Sequence, residues 1–381
     1  MFKFSLISTL VLHACILTAS AQAPMWRWKV PAGTKFAGYR AYDLGIDENR
    51  FAGIRRWDDS RVLVYVVSGQ TSLERRDVDK SKTYLLHIYI LNAQTSALES
   101  SFDLPVESAS TELQVVKGGV VVRSERKVTF YSRQFKQIEN AWVIPLAVAP
   151  LAWGVEGALK DWLKVFVSSD ETKFVISCEA GRQQTYYLFD GESFALEQTM
   201  WTREFIWAES FGDNTLLFRS SNDTNSVHAA HFTGADIQQT TIVYSAKKNS
   251  CATAIYLDAQ QFVNVCDGVR VVNLAGREMI IEKFRQGEVG AGRGVLSEDK
   301  SHLVVSRRLY KGGSSFLDLP PRLTGVVVKV FELDSPGAVI EIPLAHVPKE
   351  ICDYAFVGHA TLVVMNDDEV SAYMYLKTHS E

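Results

Sequence analysis

Apolar and polar positions along this chain fall into short runs that meet at small polar turns, and the same arrangement returns seven times. The turns are Asp58-Asp59-Ser60, Lys117-Gly118-Gly119, Ser169-Asp170-Glu171, Gly212-Asp213-Asn214, Asp258-Ala259, Ser297-Glu298-Asp299 and Gly358-His359, each between apolar or alternating runs of strand length. They lie roughly 40 to 60 residues apart, a period that accommodates a four-stranded sheet with its connections. A third run rich in β-branched and aromatic residues follows each hairpin, at 86–91, 127–131, 185–189, 227–232, 269–274, 326–333 and 370–376. A fourth follows six of them, at 98–104, 138–144, 196–201, 237–244, 278–284 and 338–344. The seventh lacks one, and Trp26-Arg27-Trp28-Lys29-Val30 stands unassigned near the N-terminus. Placed beside the last hairpin, that segment completes an all-β chain: a seven-bladed β-propeller of four-stranded antiparallel blades, its ring closed by the N-terminal strand. No capped apolar run of helical period exceeds a few turns.

Connection lengths separate the two faces of such a disk. Turns inside the hairpins and between third and fourth strands are short, whereas 31–50, 69–82, 147–161 and 307–324 are long and emerge on one face. Long loops on a rigid scaffold commonly carry function, so that face is the expected binding surface. Its candidate residues are Arg75 and Arg76, Trp153 and Trp162, and Arg307, Arg308, Tyr310 and Phe316. Arginine and aromatic side chains are the enriched anchors of protein interfaces. The competing reading has the two tryptophans capping the central channel and the arginines solvated.

Composition adds exclusions. The 381 residues are 47% apolar and 22% charged with a formal net charge of -4, which leaves no basic footprint for nucleic acid. Met1-Phe2-Lys3 leads into an apolar run from Phe4 to Leu17 and then Ala19-Ser20-Ala21-Gln22-Ala23, so 1–23 reads as a secretory signal and 24–381 as one exported domain. That run is too short to span a bilayer, and no later segment is long and apolar enough to do so. Leu12-His13-Ala14-Cys15 faintly resembles a lipoprotein cleavage box, which makes lipidation at Cys15 a minor alternative.

Of the remaining cysteines, Cys251 and Cys266 are equidistant from the Asp258-Ala259 turn. A symmetric hairpin sets them opposite each other, giving either a cross-strand disulfide in an oxidising compartment or two small buried thiols.

Motifs for chemistry are sparse. His228 and His231 are three apart on an expected strand and so point to opposite faces, and the cysteines form no C-x-x-C pair; no metal and no cofactor are expected. Gly290-Ala291-Gly292-Arg293-Gly294 superficially resembles a phosphate loop, but a strand rather than a helix follows it. Segments such as Val167 to Ile176 with Tyr187-Leu188-Phe189-Asp190 resemble exported propellers with WD40-like or YVTN-type repeats. The Trp57-Asp58 dipeptide lies in a hairpin turn rather than at a third-strand end. The resemblance covers scaffolds, ligand-binding proteins and enzymes alike, so it is the sparse catalytic motifs and the long-loop face that lead to the expectation of a monomeric, non-catalytic module that binds a protein or cell-envelope partner. The alternative is a lactonase-like or sugar-directed hydrolase with its site at the channel mouth.

Overall fold

Twenty-seven strands and no helix make up the described part of the computed structural model, which covers residues 23–31, 52–68, 84–107, 111–124, 127–138, 163–180, 183–202, 206–220, 223–232, 241–245, 254–265, 268–273, 275–284, 288–311, 322–348 and 352–376. The strand β1 (Trp26–Lys29) leads the chain. The first sheet holds β2 (Ala52–Arg56), β3 (Arg61–Ser68), β4 (Tyr84–Asn92) and β5 (Leu98–Val106) in that order. The second holds β6 (Thr111–Val116), β7 (Gly119–Ser124) and β8 (Lys127–Ser132), and the third β9 (Leu163–Val167), β10 (Lys173–Ala180), β11 (Gln183–Asp190) and β12 (Leu196–Thr202). The fourth holds β13 (Ile206–Gly212), β14 (Thr215–Ser220), β15 (Asp223–His231) and β16 (Thr241–Ser245). The fifth holds β17 (Ala254–Asp258), β18 (Gln261–Val265), β19 (Gly268–Asn273) and β20 (Glu278–Lys283). The sixth holds β21 (Glu288–Leu296), β22 (His302–Lys311), β23 (Arg322–Glu332) and β24 (Ala338–Pro343). In the seventh, β25 (Cys352–Val357), β26 (Thr361–Asn366) and β27 (Glu369–Met374) are joined by β1 at the outer edge.

All seven expected hairpin turns fall between the first two strands of a sheet, and the seven-bladed ring is closed as the sequence indicates. Trp26 pairs with Ala372 and Trp28 with Val370. From the same strand Trp26 Nε1 donates to Ala93 O at 2.8 Å, and the Trp28 ring lies 5.3 Å from Tyr89, so β1 fastens the last blade to the first. Each blade begins at its inner strand. Neighbouring inner strands pack together, β2 on both β25 and β6, β13 on both β9 and β17, and β21 on β25. In the second blade Tyr131 forms a bridge with Gln137 just before the expected fourth run, most of which lies outside the described residues.

The core is the set of faces pressed between blades, because a strand that alternates sides buries both faces when a sheet stands on each side of it. Phe130 of the second blade, for example, sits 5.6 Å from both Phe174 and Phe189 and 5.1 Å from Phe194 of the third.

Turn chemistry repeats with the blades. Ser168-Ser169-Asp170-Glu171-Thr172-Lys173 and Ser297-Glu298-Asp299-Lys300-Ser301-His302 fold alike: the serine hydroxyl donates to the aspartate at 2.6 Å in both, and Glu171 and Lys300 both take φ 59°. Burial raises the Asp170 and Asp299 carboxyls, but the hydroxyls bonded to them outweigh it and hold both below the usual carboxylate range.

Candidate functional site

Two sets of charged side chains gather where the inner strands meet. In the first, Arg55 on β2 donates from Nη1 to Asp353 Oδ2 of β25 at 2.7 Å and from Nε to Gln114 Oε1 of β6 at 3.0 Å. Asp353 also accepts from Ile54 N at 3.1 Å and Tyr354 N at 3.0 Å, while Gln114 donates to Glu112, which pairs with Arg123 at 3.3 Å. The network clasps blades seven, one and two. Gly53 leaves it room: a Cβ there would lie 2.7 Å from Asp353 Oδ2 and 2.8 Å from Tyr65 Oη.

The second set lies at the face of short turns. Arg56, the last residue of β2, reaches Asp59 at 2.6 Å and also Glu298 in the first turn of the sixth blade at 2.7 Å. Arg133, beyond β8, donates to Trp57 O at 2.6 Å, Val116 O at 2.8 Å and Lys117 O at 3.2 Å. Its guanidinium lies 4.5 Å from the Trp57 ring, which stacks on Phe135, and it meets Glu171 Oε2 at 3.4 Å.

Burial pushes the Glu171 carboxyl up to about 7, against the opposing pull of Arg133 and Arg56, with Glu298 adding to the rise. The Arg133 guanidinium is in turn lowered by burial. Both shifts disfavour charge, so this long contact does not offset the desolvation of its partners. The cluster combines side chains from the first, second, third and sixth blades and changes charge near neutrality. Trp57, Asp58, Arg61, Arg133 and Gln134 line an open cleft beside it.

The long-loop residues singled out in the sequence have mixed placements. Arg75, Arg76, Trp153, Trp162 and Phe316 lie outside the described residues. Arg307, Arg308 and Tyr310 belong to β22 rather than to a loop, because that strand runs on to Lys311. Arg307 and Arg308 are only 8% and 6% exposed. Arg307 bonds Glu282 of the neighbouring blade at 3.0 Å and lies 5.6 Å from the Phe284 ring, and Lys329 shares the same carboxylate at 2.8 Å.

Cys251 and Cys266 are also outside the described residues. The symmetric hairpin assumed for them would pair Ala254 with Val263, whereas Ala254 pairs with Asn264: the turn is centred on Ala259-Gln260 rather than Asp258-Ala259, and a bulge between Tyr256 and Asp258 takes back only one residue of the resulting shift. His228 is buried and stacks on Phe218 at 5.4 Å, while His231 is exposed and bonds Thr215 at 2.8 Å, on opposite faces of β15 as its alternation requires. The glycine-rich segment 290–294 is part of β21. Among the described residues, no helix is long and apolar enough to cross a membrane.

The residues of the short-turn face, Arg56, Arg133, Glu171 and Glu298, were not singled out by the sequence. The repeated Ser-x-Asp-x-Ser/Thr turn marks where two of them lie, but not what they meet.

No protein-family model and no curated protein matches the chain. Among solved structures it is similar to the Pan2 WD40 domain of Neurospora crassa, at 10% identity over 94% of this chain and 97% of that one, with a TM-score of 0.52. It is also similar to Raptor of Chaetomium thermophilum, at 9% identity and a TM-score of 0.50 over 85% of this chain and 29% of that one. The likeness is one of backbone arrangement, and with the blade order and closing strand it gives the chain the seven-bladed β-propeller fold of WD40 domains.

Proposed function

We propose that this protein is an exported interaction scaffold that binds a protein or cell-envelope partner through the face carrying its long connections. One observation carries the reading. The strand ends at Lys29 and Ala52, Ser68 and Tyr84, and Lys311 and Arg322 set long connections on one side of a closed ring, while the other side has mostly tight turns. A ring fixed by β1 and by the Arg55 network presents such loops without reorganising, which lowers the entropic cost of binding. The apolar run and small-residue cleavage pattern of residues 1–23 support export.

The test is retention of envelope and secreted proteins of the source organism by the immobilised full chain. A second chain, with 69–83 and 312–321 replaced by Gly-Ser linkers of equal length, is run beside it. A partner retained by the first and lost by the second supports the scaffold; equal retention by both removes the long-loop face. Export is read from the N-terminus of the recovered protein: a start at Pro24, directly after the cleavage pattern, is expected, and an intact Met1 contradicts it.

A further inference from the structure

Three strands of the first blade align a serine, a histidine and an aspartate. Ser68 closes β3, His87 lies in β4 and Asp103 in β5. The Ser68 hydroxyl is 2.6 Å from His87 Nε2, and His87 Nδ1 is 2.6 Å from Asp103 Oδ1. The carboxylate accepts the Nδ1 proton, which leaves Nε2 as the acceptor of the serine proton. Nucleophile, base and orienting acid thus stand in the relation that activates a serine hydroxyl.

Register explains the alignment. Ser68 pairs with Leu85, Val66 with His87 and His87 with Asp103, so Ser68, Leu85, His87 and Asp103 share one face of the sheet. Tyr89 continues that face and carries Trp28 of β1, so the row opens on the seam between the first blade and the closing strand. The row is accessible: the His87 side chain is 16% and that of Asp103 62% exposed. Leu85, directly opposite Ser68, is 38% exposed and offers an apolar wall.

We propose that Ser68 is a nucleophile, activated by His87 and oriented through Asp103, that accepts the acyl group of carboxylic esters whose acyl part is apolar. Oγ bonds to the carbonyl carbon as its proton passes to His87 Nε2. The alkoxide then leaves with the C–O electron pair and takes that proton. Water, deprotonated by the same imidazole, cleaves the acyl-serine to a carboxylic acid and restores the hydroxyl. His87 and Ser68 are the catalytic residues and Asp103 is a positioning residue. The activity goes beyond the scaffold reading and does not depend on it.

The test is labelling of the full chain with an alkyl fluorophosphonate, in which Oγ displaces fluoride from phosphorus, followed by peptide mass spectrometry and p-nitrophenyl butyrate hydrolysis. One adduct on the peptide holding Ser68 is expected, absent in Ser68→Ala. The labelling rate should fall about 100-fold in His87→Ala, in the range a general base supplies. Asp103→Asn, at an exposed position, should slow labelling with an unchanged melting temperature, and Asp103→Glu should restore part of the rate. Absence of an adduct at Ser68, or equal rates in the wild type and Asp103→Asn, overturns the proposal and leaves the row a hydrogen-bonded ladder.

Discussion

The Glu171→Gln substitution tests the reading of the Arg56–Arg133–Glu171–Glu298 cluster through the pH dependence of stability. In the folded chain the carboxyl is pushed up to about 7 from an ordinary 4.5, chiefly by burial. Because the folded value is the higher one, the unfolded chain ionises first as pH rises. Stability is therefore lost between about pH 4.5 and 7, the window set by those two values. At 1.36 kcal/mol per unit, the loss from pH 5 to pH 8 is about 2–3 kcal/mol from this group alone. Glutamine retains an acceptor for Arg133 and cannot ionise, so the variant escapes that loss. Urea unfolding at pH 5, 6, 7 and 8 should show the two proteins nearly equal at pH 5, with the variant more stable by about 2–3 kcal/mol at pH 8. Other carboxylates and histidines titrate in both proteins and cancel in the difference. A difference that stays constant from pH 5 to pH 8 would show Glu171 to be ionised throughout and refute the reasoning.

Three further substitutions probe the ring. Gly53→Ala places a Cβ 2.7 Å from Asp353 Oδ2 and should cost about 1–3 kcal/mol by urea unfolding; a neutral result would show that the Arg55 network shifts freely. Phe130→Ala empties the space between Phe174, Phe189 and Phe194 and should cost about 3–5 kcal/mol, again from the urea midpoint, with a loss under 1 kcal/mol contradicting the packing. Trp28→Ala removes the contact of the closing strand with Tyr89 and should cost about 2 kcal/mol, less than a fully buried aromatic, while hydrogen exchange along β27 speeds up. Unchanged exchange there would mean that closure does not depend on this ring.

Most of the propeller was legible because its signals are local. A hairpin declares itself by turn residues between alternating runs, and Asp58, Gly118, Asp170, Asp213, Ala259, Asp299 and Gly358 all lie in or at the turns expected of them. The closing strand was legible for a different reason: in the sequence six repeats have a fourth run and the seventh does not, so the unassigned Trp26-Arg27-Trp28 segment had one open edge to join, and it pairs there with β27. Where local symmetry was assumed it failed, as at the β17–β18 hairpin, since the turn is centred one residue later than assumed and a bulge then changes the register again, neither leaving a sequence mark.

The residues that were misread or missed share a property: their partners are on another strand or another blade. Arg307 and Arg308 look like the start of a polar loop because two adjacent arginines seldom enter a buried strand. Arg307 does so here because Glu282, on the outer strand of the neighbouring blade, accepts from it, a fact about blade packing. Arg56 and Glu298 come from the first and sixth blades, with the seventh between them around the ring, and meet only because the ring closes. Ser68, His87 and Asp103 belong to one blade, yet their row needs the register of two strand pairs before it can be seen. Alternation tells which face a side chain takes, whereas its partner is fixed by register and closure. Fold was therefore readable one hairpin at a time, while the sites depend on the whole ring.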